Sequence, residues 1–209
     1  AGPGLVGALL VGLTFAKGFA FSLKKEFAPV NHIEGHIFSG FLMDDKPEFP
    51  MLVLVVSGGH TLLLLVESHT KIIKLGSTVD DAVGEAFDKV SKMLGFGYPG
   101  GPKIQAAAEK GINSNIIFPV ADLKTEFDFS FSGLKTSVLR FIQKEFPEGT
   151  EIPSAELNKI AYSFQEAAIK ALLRISEKAL KKYKVNSISV VGGVAANSLL
   201  RKKFKMLAD

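Results

Sequence analysis

Two nearly continuous apolar runs, Met51 to Val56 and Thr61 to Glu67, are separated by only Ser57-Gly58-Gly59-His60. Runs this short and apolar, split by glycines, predict a buried hairpin with a glycine-rich tip. Further along, Leu157, Ile160, Ala161, Phe164, Ala168, Ala171, Leu172, Ile175 and Ala179 follow helical spacing and predict one long helix from about Ser154. Ser187 to Val191 reads as a buried strand, Gly192-Gly193 as a turn, and Ala195 to Leu207 as a further helix. Strands alternating with helices argue for an α/β layered fold.

The remaining elements are read the same way. A Gly2-Pro3-Gly4 turn leads into an apolar helix reaching about Leu23, followed by a short helix over Asn31 to Met43. Helices are predicted at Asp80 to Leu94 and Pro102 to Lys110. The alternation Phe127, Phe129, Phe131 predicts an edge strand or extended segment, and Ser132 is the expected cap of a helix running to about Phe146. The apolar opening, Leu5 to Phe15, is cut off by Lys17 well short of the ~20 residues that span a bilayer, so no membrane segment is expected. There is no cysteine, which excludes a disulfide scaffold, a thiolate zinc site and a cysteine nucleophile. Eight Lys and Arg residues between Lys178 and Lys205, with no carboxylate among them beyond Lys178, form either a solvated helix face or a surface for a polyanion such as RNA.

Four features carry chemistry. His32 and His36 are four residues apart, so on a helix both imidazoles project from one face and suit a borderline metal such as iron or zinc; unligated histidines are the alternative. Glu34 does not have the placement a zinc-protease helix requires, which argues against a metal-dependent protease. Ser57-Gly58-Gly59 lets backbone N–H groups approach an anion, or is simply a hairpin turn. Gly192-Gly193 is a second such bend, with Asn197 one turn inside the next helix and able to hydrogen-bond a ribose or base. Asp81, Glu85 and Asp88 are expected along one helix face, with Glu85–Lys89 and Asp88–Lys92 as i,i+4 pairs. They are followed by a glycine-bearing loop, Tyr98-Pro99-Gly100-Gly101-Pro102, which can close over a ligand.

Six segments in order cover nearly the whole chain: His32-Ile-Glu-Gly-His36, Val55-Val56-Ser57-Gly58-Gly59-His60-Thr61, Asp80 to Lys89, Tyr98 to Pro102, Phe129 to Thr136, and Gly192 to Asn197. Together they resemble the TsaD family, the transferases that form threonylcarbamoyladenosine in tRNA. The resemblance implies a two-lobed actin/Hsp70/sugar-kinase-like (ASKHA) fold, with residues 1–48 in the N-terminal lobe and 49–209 in the C-terminal lobe. It implies transfer of a threonylcarbamoyl group from threonylcarbamoyl-AMP to the exocyclic amine of the adenosine 3′ of the anticodon. By residue match, His32 and His36 would hold iron or zinc. Val55, Val56, Ser57, Gly58 and Gly59 would cradle the substrate's phosphate region, and Asp88, Gly101 and Asn197 would hold the rest of the nucleotide or its acyl group. No covalent nucleophile is required.

The resemblance also implies a cytoplasmic protein that works with tRNA, a TsaB-like paralogue and a TsaE-like ATPase. The small-residue ridge Gly4, Ala8, Gly12, Ala16, Ala20 lets another helix approach closely, either in internal packing or as a contact with the paralogue or a second copy. Against the family pattern, a strand and phosphate-binding hairpin before Ala1, and an aspartate metal ligand after Asp209, are missing. On that reading the 209 residues are a fragment, inactive alone. A non-catalytic adenine-nucleotide-binding scaffold is the other reading.

Overall fold

The computed structural model describes residues 2–4, 6–112, 114–147 and 149–208; Ala1, Leu5, Asn113, Glu148 and Asp209, and with them the first residue of the predicted apolar opening, lie outside the described residues. The chain divides into two compact units, 1–46 and 47–209.

The first unit holds helix α1 (Val6–Ser22) and the seven-residue helix α2 (His32–Phe38). No side chain of α1 is buried: Val11 is 74% and Phe15 73% exposed, so the helix presents an apolar surface on every side. Asn31 caps α2, its side-chain oxygen accepting from the N–H groups of Ile33 (2.8 Å) and Glu34 (3.4 Å). The predicted helix over Asn31 to Met43 is therefore split. From Ser39 to Leu42 it tightens into a 3₁₀ turn at Gly40, where helix propensity is poor.

The second unit is built on a four-stranded sheet, β1 (Met51–Val56), β2 (Thr61–Ser68), β3 (Lys71–Ser77) and β4 (Ser187–Val191), in the order β3-β2-β1-β4. β1 and β2 form the predicted hairpin, and β1 is inaccessible along its whole length because it is central and covered on both faces. β3 was not expected from the sequence. It is an edge strand with Lys71 and Lys74 exposed, so it lacks the apolar continuity that marks β1. β4, predicted to be buried, is half-buried at all but Val191, because in the described residues it has a strand on one side only.

Helices α3 (Val83–Met93), α4 (Gly100–Ala108), α5 (Ser132–Glu145), α6 (Ser154–Lys182) and α7 (Ser198–Ala208) complete the unit. α6 carries the predicted apolar stripe, and its Phe164 meets Phe87 of α3 edge-to-face at 5.0 Å between ring centroids. α3 starts three residues later than expected. Asp80 and Asp81 lie in the loop before it, because the Thr61 hydroxyl accepts from the Val83 N–H (2.9 Å) and fixes the first turn there. α4 starts earlier, at Gly100.

Ser132 does not cap α5 with its side chain. The cap comes from fifty residues away: the Asp80 carboxylate accepts from the N–H groups of Phe131 (2.8 Å) and Ser132 (3.3 Å) and from the Ser130 hydroxyl (2.5 Å). A local motif cannot reveal a cap supplied by another loop. Phe127, Phe129 and Phe131 are all buried. A single bridge, Phe129 to Thr78, is all the pairing this segment makes among the described residues, so it is an extended segment rather than an edge strand. Among the described residues no helix is long and apolar enough to cross a membrane.

Candidate functional site

β1 and β4 run parallel with Val55 opposite Val191, so the segments that follow them emerge side by side at one edge of the sheet. That register places Gly58 of the hairpin tip and Gly193 of the strand–helix connection on the wall of one cavity of about 400 Å³. Asp88 from α3, Gly101 from the first turn of α4, and Asn197, the residue before α7, line the same cavity. Five residues read from sequence as anion or nucleotide contacts, counting Gly193 of the second bend, thus share one hollow.

The hairpin tip is closed by Ser57. Its N–H donates to the His60 carbonyl (2.8 Å), and its hydroxyl accepts from the His60 N–H (3.0 Å). Val55 and Val56 are fully buried and paired with Leu62 and Thr61 in the sheet. Of the five residues expected to cradle a phosphate, Val55, Val56 and Ser57 therefore spend their backbone groups on the fold. Gly58 and Gly59 remain as exposed donors at the tip. Gly58 reaches the cavity, and Gly59 is not among its lining residues.

The glycines at the cavity divide into two kinds. A Cβ at Gly84 would lie 2.5 Å from the Ser57 carbonyl oxygen, and one at Gly100 would lie 2.6 Å from the Asp88 Cα, so both are demanded by close packing. Gly192, at φ +100°, would drive a Cβ into the Val56 carbonyl. A Cβ at Gly58, Gly101 or Gly193 would meet no heavy atom within 4 Å. These three line the cavity, where packing gives no reason for a missing side chain; close approach by a ligand does.

Asp88 does not pair with Lys92, the expected i,i+4 partner. One of its carboxylate oxygens accepts from the Gly100 N–H at 2.7 Å, tying α3 to the glycine loop. Asn197 is not inside a helix but is the residue before α7. Its side-chain oxygen accepts from the Leu200 N–H (3.0 Å), and its amide nitrogen donates to Gln165 (2.7 Å). The sequence reading missed Gln105, Gln165 and Glu109. Gln105 accepts from the Ser198 N–H (2.9 Å) and donates to Glu109 (3.2 Å), and both Gln105 and Glu109 line the cavity. In sequence they look like ordinary helix-surface residues. The charged residues lining the cavity are Asp88 and Glu109, both acidic, so backbone N–H groups are what its described residues offer an anion.

Asp81, which does not line the cavity, sits between Lys135 (2.7 Å) and Lys89 (2.8 Å), and Lys89 also meets Glu85 at 2.7 Å. Burial pushes the Asp81 carboxyl up, but the hydrogen bonds from Lys135 and Lys89 outweigh it and hold its pKa below the ordinary value. The same contacts, first with Asp81 and then with Glu85, raise that of Lys89. Asp81 thus bridges Lys89 of α3 to Lys135 of α5, Glu85 holds Lys89 within α3, and the cavity is lined by Gly84, Phe87 and Asp88 of that helix. In the basic cluster, Lys182 is held by Glu126 (2.5 Å), which raises its pKa, and it sits over the Phe127 ring. A larger, more open groove along α5, about 610 Å³, holds none of the residues read as site candidates.

In the first unit the rings of His32 and His36 lie 4.5 Å apart between centroids, edge to face on α2. Two imidazoles this close fit as two ligands of one borderline ion. No group of three or more His, Cys, Asp or Glu able to hold a metal occurs among the described residues.

The model of the TsaD family, described as tRNA N6-adenosine threonylcarbamoyltransferase, matches residues 1–209. Proteins of that description from Kosmotoga olearia and Chloroherpeton thalassium are 51% identical over 208 residues and 50% identical over 218 residues, covering 99% and 98% of this chain. The chain spans 61% of the length of each of these relatives. Among solved structures, it is similar to the activator of the 2-hydroxyisocaproyl-CoA dehydratase from Clostridium difficile with bound ADPNP, at TM-score 0.52 and 13% identity, over 88% of this chain and 60% of that one. It is also similar to component A of the (R)-2-hydroxyglutaryl-CoA dehydratase of Acidaminococcus fermentans, at TM-score 0.50 and 16% identity, over 86% and 60%. Identities this low bear on fold alone, and the fold is the α/β, ASKHA type expected from the sequence.

Proposed function

Because the chain belongs to the TsaD family of tRNA N6-adenosine threonylcarbamoyltransferases, we propose that its protein transfers a threonylcarbamoyl group from threonylcarbamoyl-AMP to the exocyclic amine of the adenosine 3′ of the anticodon in tRNA. The observation that carries the reading is the shared cavity. Gly58, Asp88, Gly101, Gly193 and Asn197, spread over 140 residues of sequence, converge on a hollow of about 400 Å³, within the usual range for a small-ligand site.

The donor is a mixed anhydride whose leaving group is AMP, so the protein need not supply a nucleophile. Its task is to hold donor and amine in line and to stabilise charge on the carbonyl oxygen and the departing phosphate. The N–H of Gly58, the tip residue that reaches the cavity, suits the phosphate, since no side chain blocks its approach. Asp88 holds the loop through one oxygen and leaves the other to accept from a ribose or threonyl hydroxyl. His32 and His36 would hold the family's metal, iron or zinc, which when bound supplies Lewis-acid stabilisation of anionic oxygen.

The same proposal extends to partners: tRNA, a TsaB-like paralogue and a TsaE-like ATPase, in the cytoplasm. The exposed apolar side chains of α1, with its Ala8, Gly12, Ala16, Ala20 row, support a protein contact on that helix. The full-length protein, supplied with partners, metal, tRNA, threonine, bicarbonate and ATP, is expected to yield threonylcarbamoyladenosine in nucleoside mass spectrometry. No product while threonylcarbamoyl-AMP is shown to accumulate overturns the transferase reading. Nucleotide binding by the wild-type protein that persists in His32→Ala and His36→Ala, with no transfer by any of the three, favours the scaffold reading instead.

A further inference from the structure

We propose that Gln165, in the middle of α6, is a positioning residue for the cavity, acting through Asn197. The inference rests on the transferase reading of that cavity. Gln165 is 4% exposed and has the buried apolar residues Ala161, Phe164, Ala168 and Ile169 as its neighbours on α6. A buried amide in such a setting is destabilising unless paired. Its partner is the cavity-lining Asn197, 7% exposed, whose amide nitrogen donates to the Gln165 side-chain oxygen at 2.7 Å.

This bond decides which way the Asn197 amide faces. Asn197 must turn its oxygen toward the Leu200 N–H to cap α7, which aims its nitrogen at α6. Without an acceptor there, the amide gains by flipping or rotating toward water, and the cap and the adjoining Gly193 to Asn197 turn move with it. That turn is one wall of the cavity. Gln165 itself is not among the cavity's lining residues, so its effect on a ligand passes through Asn197. α6 thus sets the wall from behind.

The test uses the full-length protein with AMP as the probe, measured by calorimetric titration beside thermal melting. Gln165→Met keeps length and removes the acceptor. It is expected to fold and to bind AMP about tenfold more weakly, equivalent to about 1.4 kcal/mol. Asn197→Ser keeps a cap without the amide, and in that background Gln165→Met is expected to change AMP affinity by less than about twofold, the non-additivity of two residues acting as one. Unchanged AMP affinity in Gln165→Met, or losses that simply multiply in the double variant, overturns the proposal while leaving the cavity's function standing. A wild-type protein that binds no AMP overturns both. Should Gln165→Met not fold, Gln165→Glu decides. Glu keeps an acceptor oxygen toward the Asn197 amide in either protonation state, so AMP affinity within about threefold of wild type is expected, and a tenfold loss refutes the assignment.

Discussion

Gly58→Ala separates a glycine kept for a ligand from one kept for packing. The Gly58 φ is not in the left-handed region, and a Cβ there meets no heavy atom within 4 Å. The substitution therefore adds no strain, and by restricting the unfolded chain it stabilises by up to about 0.4–1 kcal/mol. For a chain of this size that raises Tm by roughly 1–4 °C. The methyl group instead occupies the space through which an anion reaches the N–H groups at the tip. Hydrogen bonds to charged groups contribute about 1.5–3 kcal/mol, so AMP affinity is expected to fall roughly ten- to hundredfold. Gly84→Ala is the counterpart. Its Cβ lies 2.5 Å from the Ser57 oxygen and 2.8 Å from the Gly58 Cα, so one methyl must push the hairpin tip off α3. Overpacking of that kind costs about 1–3 kcal/mol, a fall of roughly 2–12 °C. Calorimetric titration and thermal melting read both variants. If Gly58→Ala binds AMP as well as wild type, the tip does not cradle a phosphate and the division of the cavity glycines into packing and contact positions fails.

Asp80→Ala removes three hydrogen bonds that start α5, and is expected to destabilise by about 1–2 kcal/mol in chemical denaturation. Because the folded Asp81 has a lowered pKa, its bonds to Lys135 and Lys89 stabilise above the unfolded value near 3.9 and are lost as pH falls through the folded value below it. Melting followed from pH 5 to pH 2 is expected to show a smaller loss in Asp81→Asn than in wild type. Lys89 has the opposite sign: its contribution holds below about 10.4 and fades as pH rises through its raised folded value. His32→Ala and His36→Ala, at half-buried or exposed positions, are expected to abolish iron or zinc uptake measured by elemental analysis, with Tm changed by no more than about 2 °C.

Elements whose pattern is carried by their own residues were legible in sequence. β1 and β2 are continuous apolar runs, and α6 keeps helical spacing across 29 residues. Features that depend on a partner far along the chain were not. β3 is set by pairing with β2, Asp80 caps a helix fifty residues away, and Asp88 reaches Gly100 instead of Lys92. Asn197 shows the limit most clearly. A Gly-Gly bend followed by Val-Ala-Ala reads as helix, yet the chain makes a 3₁₀ turn first because Gln105 and Gln165 hold Ser198 and Asn197 from two other helices.

The convergence of the site follows from strand direction more than from any one motif. β1 and β4 are parallel neighbours, and β3, antiparallel to β2, runs the same way as β1. All three strands therefore end at one edge of the sheet. From that edge the chain delivers the Gly58-Gly59 tip, the Thr78 to Ala82 loop that launches α3 with Asp88, and the Gly192-Gly193 bend. Parallel sheets place binding residues at the carboxyl ends of their strands for this reason. The arrangement then needs close packing to be exact, and the protein supplies it with glycines where backbones touch: Gly84 under Ser57, Gly192 against Val56, Gly100 against Asp88. These contacts fix the three loops to one another, so the open glycines beside them face a hollow whose walls are already set before a ligand arrives.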